Sequence, residues 1–225
     1  MNVLNFMQSF FSDGSHWHGY DGIPQRVWEH IQYTAGALAI AAAIGLPIGL
    51  VTGHTGRGGN TLAFVSSGAR ALPTFGLLVL MFVWLGLGIV PVMIPLVVLA
   101  IPPILITTYE AVRNVDPSPV DAARGMGMSE GKILLQVEVP AALPLILSGV
   151  RSAAIQIVST ATIAAYVALG GVGRYILDGL YQRNYEKVAG GAALTALLAL
   201  LVLVLFWAVG RVAVSPGVRR RRRAA

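Results

Sequence analysis

The chain has 225 residues, of which 56% are hydrophobic and only 12% are charged. A soluble domain has about half apolar and about a quarter charged residues. The mean hydropathy of +0.72 implies more apolar surface than a globule of this size can bury. A water-soluble domain is therefore excluded, and we predict an all-α integral membrane protein. Because the chain has no cysteine, disulfides, thiolate metal sites and cysteine nucleophiles are excluded as well.

The net charge of +6 is concentrated at the C-terminus. Five of the sixteen basic residues form the arginine run 219–223, and without them the net charge would be +1. A basic run directly after an apolar segment is typical of a membrane-protein end that stays in the cytoplasm. Residues 213–225 are therefore predicted to be a cytoplasmic tail, and we do not expect nucleic acid as a partner.

The first 29 residues combine aromatic and polar side chains. They lack the basic start and the long apolar run of a cleaved signal peptide. We expect residues 1–29 to be an extracytoplasmic segment, and an interfacial aromatic anchor is one interpretation of it. The four histidines have no metal-binding spacing, so no metal site is expected at His16, His18, His30 and His54.

Five apolar segments are each long enough to cross the roughly 30 Å hydrocarbon core of a bilayer, and they predict about five transmembrane helices, with six as the alternative. Prolines inside the second and third segments predict kinked or broken helices there. The segments are 31–52, 61–87, 89–109, 141–169 and 188–212. The prolines are Pro73 in the second segment and Pro91, Pro95, Pro102 and Pro103 in the third.

The first apolar segment contains a GxxxG pattern formed by Gly45 and Gly49, with Pro47 between them. Two glycines at this spacing leave one side of a helix flat, which allows another helix to approach closely in lipid. A proline at this place also favours a bend. The pattern therefore predicts either a close helix contact or a bend.

An odd number of spans places the two termini on opposite sides of the membrane. Lys and Arg are enriched in cytoplasmic segments. With the basic tail inside, ten basic residues lie in inside segments and four lie in outside segments. We therefore predict an outside N-terminus and a cytoplasmic C-terminus.

The longest predicted cytoplasmic loop is the polar segment 110–140. Ser118 followed by Pro119 has the pattern of a helix N-cap and a first helical residue, so a short helix is predicted to begin there. A second short helix is predicted to begin at Ser129 and to end before Pro140, because proline disfavours helix in the residue ahead of it. An ordinary ordered loop is the alternative.

The first of these helices carries small residues at close helical spacing. Ala122, Ala123 and Gly127 would form a nearly bare face on which another protein could pack. Glycine weakens a helix by about 1 kcal/mol relative to alanine. Local stability therefore does not account for Gly127, and we attribute it to a packing partner.

The same loop resembles the EAA loop of ABC-importer permeases, in which EAA is followed by three residues, glycine, nine residues and I-x-L-P. The matching residues are Asp121, Ala122, Ala123, Gly127, Val137, Val139 and Pro140. Aspartate replaces the glutamate, and valines replace the isoleucine and leucine. The resemblance implies a type I ABC importer permease whose coupling helix docks on a cytoplasmic ATPase. The implied coupling residues are Ser118, Asp121, Ala122, Ala123, Gly127 and Pro140.

Three segments resemble permeases for glycine betaine, carnitine and choline, namely 71–80, 122–153 and 164–180. Their Gly-Gly-x-Gly element also occurs in methionine-type importers, so a methionine-type or other small-solute importer is the alternative. A phenylalanine at a helix break could offer its ring face to a quaternary ammonium group. The hypothetical substrate path consists of Pro73, Thr74, Phe75, Gly170, Gly171 and Gly173.

No nucleotide site is expected in this chain. A phosphate-binding loop that included the run GMSEGK would need glycine at position 126 and serine or threonine at position 133. This chain has Met126 and Ile133 at these positions. The spans also lack the paired carboxylates of a membrane enzyme, so we expect a non-catalytic subunit without a cofactor. The less favoured alternative is a passive channel or scaffold.

The resemblance also implies partners and a location. ATP and Mg²⁺ would be used by a separate ATPase dimer. A second permease chain, identical or related, would complete the path, and an extracytoplasmic binding protein would deliver the solute. The implied location is the bacterial inner membrane.

Overall fold

The computed structural model describes residues 2–167 and 169–214, and these residues form helices and no strands. The prediction of an all-α fold is confirmed. In the described part of the chain the α-helices are α1 Val3–Ser12, α2 Ile23–Thr55, α3 Gly59–Ala71, α4 Thr74–Leu85, α5 Val90–Arg113, α6 Pro117–Gly125, α7 Glu130–Ile133, α8 Val139–Thr160, α9 Gly173–Gln182 and α10 Tyr185–Ala213. A π-helical turn, Leu134–Glu138, joins α7 to α8, and 3₁₀ segments cover Gly14–Trp17 and Ala161–Val167.

Four helical stretches are long and apolar enough to cross a membrane: α2, α5, the continuous run Glu130–Val167, and α10. A fifth span arises if α3 and α4 count as one broken segment, since they are bent by 78° at the break between them. This agrees with the prediction of about five spans. Among the residues that the structure describes, no sixth stretch qualifies.

The two proline predictions had different outcomes. The predicted break at Pro73 is present, because α3 ends at Ala71 and α4 begins at Thr74. The third span was predicted to be kinked or broken, and a break is absent there, since α5 runs without interruption over Val90–Arg113. Of its most apolar stretch 44% is buried, a larger share than in α2, in the run Glu130–Val167 or in α10. Packing inside the protein therefore holds α5 in helical form although its prolines remove backbone donors.

The described part of the chain divides into two compact units. The first comprises residues 2–39, 72–100, 154–167 and 169–202, and the second comprises residues 40–71, 101–153 and 203–214. The predicted division into 1–29, 30–212 and 213–225 stays a prediction. Most of the predicted tail, including the arginine run, lies outside the described residues.

The core of the first unit contains Phe10, a residue of the predicted interfacial segment. Its ring is fully buried and lies 5.1 Å from the ring of Tyr175, edge to face. A Cβ atom on Gly190 of α10 would overlap this ring. Exposed aromatic residues such as Tyr20 and Trp28 still suit an interface. The segment is therefore more than a surface anchor, because Phe10 packs inside the protein.

In the second unit, α2 packs closely against α5 through a row of glycines. A Cβ atom on Gly49 would lie 2.7 Å from the Cβ atom of Thr108, and one on Gly53 would lie 2.9 Å from the Cβ atom of Val112. Only glycine permits this approach. Of the two predictions for the GxxxG pattern, the structure supports the close helix contact, and α2 continues through Pro47.

Candidate functional site

The predicted cytoplasmic loop folds into α6 and α7, but α6 begins before the predicted position. The side chain of Asp116 caps the helix by accepting a 3.0 Å hydrogen bond from the backbone N–H of Ser118, and Pro117 occupies the first helical position. The prediction of Ser118 as the N-cap was therefore wrong by two residues. The sequence contains two cap-and-proline pairs in succession, and the first one is used because aspartate caps a helix as well as serine does.

The predicted bare face of α6 is split between solvent and the interior of the loop. Ala122 is exposed, whereas Ala123 is only 2% exposed and packs with Val120 and Ile133. Including Ala123 in an exposed face was wrong, because successive helical residues point about 100° apart. Ala123 instead holds α6 against α7. The exposed Asp121 forms a 3.5 Å ion pair with Arg124.

Gly127 ends α6. Its φ of +80° is a left-handed conformation, its N–H donates to the carbonyl of Arg124 at 2.9 Å, and the N–H of Met128 donates to the carbonyl of Ala123 at 3.1 Å. This arrangement is a glycine C-cap. The backbone turn thus explains the glycine without a packing partner, and a contact of Gly127 with a partner protein stays a prediction.

Sequence reasoning missed Met126 as a surface residue of this loop. It is 76% exposed, although methionine is usually found in apolar surroundings. The available signal was an apolar residue between two glycines in a polar loop. An exposed flexible apolar side chain of this kind suits a protein contact.

The second short helix does not end before Pro140. Ser129 occupies the predicted N-cap position of α7, which continues through the π-helical turn into α8. The N–H of Val139 donates to the carbonyl of Leu134, five residues earlier. This wider winding directly before Pro140 relieves the clash that proline makes with the preceding helical turn. The helical backbone thus continues from the loop into α8.

Arg124 and Glu130 clamp α6 to α7. The Nε and Nη2 atoms of Arg124 donate to the two carboxylate oxygens of Glu130 at 2.9 and 3.0 Å. The hydrogen bond to Glu130 raises the pKa of Arg124 above its ordinary value. A two-point guanidinium–carboxylate pair fixes orientation as well as distance, so the two short helices form one structural unit.

His54, near the end of α2, contacts Glu130 of this clamp and also Glu138, which lies 84 residues away in sequence. Its Nδ1 atom lies 2.6 Å from a carboxylate oxygen of Glu138, and its Nε2 atom lies 3.2 Å from a carboxylate oxygen of Glu130. The side chains of His54 and Glu138 are 13% and 7% exposed. Sequence reasoning had assigned His54 no function, because no local spacing indicates a pairing made only by tertiary folding.

A cavity of about 160 Å³ lies beside His54. Its lining includes Arg113 at the end of α5, Asp121 and Arg124 of α6, and Glu138. The charged groups are of both signs and partly neutralise each other. The cavity therefore shows no preference for an anionic or a cationic ligand.

In the first unit, Pro73, Thr74 and Phe75 lie at the break before α4. The ring of Phe75 lies 5.0 Å from that of Tyr166, at an interplanar angle of 72°. Tyr166 belongs to the 3₁₀ segment after α8 and was not predicted as a site residue. The two rings are 47% and 52% exposed. The structure thus brings together aromatic side chains from the first turn of α4 and from the 3₁₀ segment after α8.

The predicted path glycines each have a local structural reason. A Cβ atom on Gly170 would overlap the carboxylate of Glu29, and one on Gly173 would overlap the carbonyl of Thr162. Gly171 has a φ of +91°, and its N–H donates to Glu29 at 2.7 Å. Arg26 binds the same carboxylate at 3.0 Å. Packing explains these glycines, and their assignment to a substrate path stays a prediction.

Comparison with known proteins supplies independent evidence. The family model described as binding-protein-dependent transport system inner membrane component matches residues 45–220. The chain is 30% identical to the carnitine transport permease protein OpuCB of Listeria monocytogenes, over 88% of this chain and 89% of that protein. It is also 30% identical to the choline transport system permease protein OpuBB of Bacillus subtilis, over 79% of this chain and 82% of that protein.

The fold is similar to that of a solved transporter. A chain from the inward-facing MetNI methionine ABC transporter superposes with a TM-score of 0.73 at 25% sequence identity. The match covers 86% of this chain and 96% of that one. The long helices and the loop between α5 and α8 therefore belong to a known permease architecture.

Proposed function

Because this chain belongs to the family of binding-protein-dependent transport system inner membrane components, and is thus a multi-pass permease of an ABC importer, we propose that its solute is a small quaternary-amine osmoprotectant. The observation that carries this proposal is the similarity to carnitine and choline permeases over most of the chain. Glycine betaine, carnitine and choline share a quaternary nitrogen without N–H donors. Such a cation is recognised by aromatic ring faces rather than by hydrogen bonds.

The exposed residues of the loop form the coupling surface, which we define as Asp121, Ala122, Met126 and Gly127. The small side chain of Ala122 lets a partner approach the backbone of α6, and Met126 offers an apolar contact. Behind this surface, Ala123 packs α6 on α7, and Pro140 lies where the loop continues into α8. Ser118 belongs to the first turn of α6. The ATPase would dock on this surface.

The mechanism that follows is alternating access between two packed states. ATP and Mg²⁺ are used in the ATPase dimer, whose closure displaces the coupling surface. Because the loop is continuous with α8 through the π-helical turn, its displacement reorients that span. This chain itself is non-catalytic in the scheme. The loop faces the cytoplasm, and the N-terminus faces the outside. A second permease chain completes the path, and an external binding protein delivers the solute.

The aromatic pair of Phe75 and Tyr166 supports a solute contact inside the permease. Both rings are partly exposed and come from segments where the helices are interrupted. Interrupted helices are where transporters build their binding sites. In this proposal the two rings contact the quaternary nitrogen as it passes.

The function is tested with the complete transporter, meaning this permease, its ATPase and its binding protein, reconstituted in lipid vesicles. ATP hydrolysis is measured with glycine betaine, carnitine, choline and methionine. We expect stimulation by quaternary amines and none by methionine, which is matched in size but has a primary amine. Stimulation by methionine alone would establish the second candidate, which the structural similarity to a methionine transporter favours. An ATPase that fails to bind this chain would instead indicate a channel or scaffold.

A further inference from the structure

We infer that His54 is a positioning residue of the transport cycle, which joins the end of α2 to the coupling loop through Glu130 and Glu138. This inference rests on the proposed function, since it takes the α6–α7 loop to be the part that the ATPase moves. It makes α2 a third span, besides α5 and α8, that moves with the loop. The loop is covalently connected to α5 before it and to α8 after it, whereas α2 is connected only through side-chain contacts.

The joint consists of one imidazole ring that lies between two carboxylates. The Nδ1 atom faces Glu138 at 2.6 Å, and the Nε2 atom faces Glu130 at 3.2 Å. Carboxylates accept hydrogen bonds and do not donate them; the Glu138 carboxylate accepts a hydrogen bond from the ring, whereas the longer contact with Glu130 is an ion-pair contact. One side chain of α2 is thereby bound at two points of the loop.

One acidic partner precedes the π-helical turn, and the other is part of it. Glu130 is the first residue of α7, and Glu138 is the last residue of the turn. A π-helical turn inside a helix is a frequent feature of functional sites, because it changes the winding locally. His54 bridges this turn. His54 therefore connects α7, the turn before α8 and the end of α2 to one another.

A series of charged contacts connects His54 to α6, the helix that carries the coupling surface. Arg124 of α6 binds Glu130 through two hydrogen bonds, and Glu130 contacts His54. Glu138 is buried, and a buried carboxylate without a partner is strongly unfavourable. The protein therefore has a physical reason to keep this joint closed while the loop moves. The joint acts as a rigid connection.

The test measures whether α2 and the loop move together. The chain has no cysteine, so two introduced cysteines can be spin-labelled selectively. Thr55→Cys and Lys132→Cys place the labels at exposed positions beside the joint. In the assembled transporter, the distance between the labels is measured without nucleotide and with ADP, vanadate and Mg²⁺ trapped in the ATPase. We expect the same distance in both states.

The joint is then opened with the double substitution His54→Ala and Glu138→Gln. Removing histidine alone would leave a buried charge and could unfold the loop, whereas glutamine keeps the shape of glutamate without the charge. In this variant we expect the label distance to change on trapping. Transport of glycine betaine per ATP hydrolysed should fall at least about fivefold, the lower end of coupling between distant sites.

His18→Ala is the matched control, because His18 is exposed and hydrogen-bonds only locally, to the carbonyl of Gly14. It should leave both measurements unchanged. The inference is overturned if the label distance already changes with trapping in the protein that retains His54, or if the double variant behaves like the control. Both results leave the proposed function intact. An ATPase that does not co-purify with the unsubstituted permease would overturn the proposed function and this inference together.

Discussion

The ring of Phe75 lies 5.0 Å from that of Tyr166, nearly edge to face, and the two residues are separated by 91 positions in the chain. If this pair contacts a quaternary nitrogen, removing one ring weakens binding by about 1 kcal/mol, or about fivefold. We predict that Tyr166→Ala raises the KM for glycine betaine uptake by about that factor. Tyr166→Phe keeps the ring and serves as the control. Equal KM values for the two variants would contradict the aromatic contact.

Ala122 and Ala123 are neighbours on α6 with opposite environments, one exposed and the other buried. We predict that Ala122→Trp leaves the permease folded and inserted but prevents co-purification of the ATPase, because the indole blocks the coupling surface. Ala123→Trp should instead disrupt the packing of α6 on α7 and reduce the yield of folded protein. Normal ATPase binding by Ala122→Trp would contradict the proposed docking surface.

A comparison of Gly127 with Gly131 tests whether glycine is needed for its backbone conformation or because a side chain would not fit. In both cases an added Cβ atom would meet no other atom within 4 Å, but only Gly127 has a positive φ. Gly127→Ala should destabilise the loop by about 1 kcal/mol, whereas Gly131→Ala should stabilise it, since alanine favours helix. Hydrogen exchange of the α6 and α7 amides measures both effects. Faster exchange in Gly131→Ala than in Gly127→Ala would refute this explanation.

Gly190 and Gly210 provide a similar pair within α10. A Cβ atom on Gly190 would overlap the ring of Phe10, whereas one on Gly210 would meet nothing within 4 Å. Gly190→Ala should therefore overpack this site and lower the free energy of unfolding by about 1 to 3 kcal/mol. Thermal unfolding of the detergent-solubilised permease measures this loss. Gly210→Ala should be neutral or slightly stabilising. The double variant Gly190→Ala with Phe10→Leu should recover part of the loss, because the smaller side chain makes room.

The sequence alone determined the membrane class, the approximate number of spans and the position of the polar loop between α5 and α8. These properties depend on local composition: apolar runs of sufficient length must face lipid, and Pro73 breaks a helix because it lacks a backbone donor. The family resemblance depends in the same way on residues within one short stretch, from Asp121 to Pro140.

Tertiary structure decided which residues meet and which face solvent. Phe10 is buried because Gly190 leaves space for it, and α5 remains helical because packing outweighs its prolines. His54 contacts Glu138, which is 84 residues away in sequence, and no local sequence pattern indicates this contact. Such pairings depend on how helices are arranged in space, whereas hydropathy and helix capping depend only on residues close together in the chain.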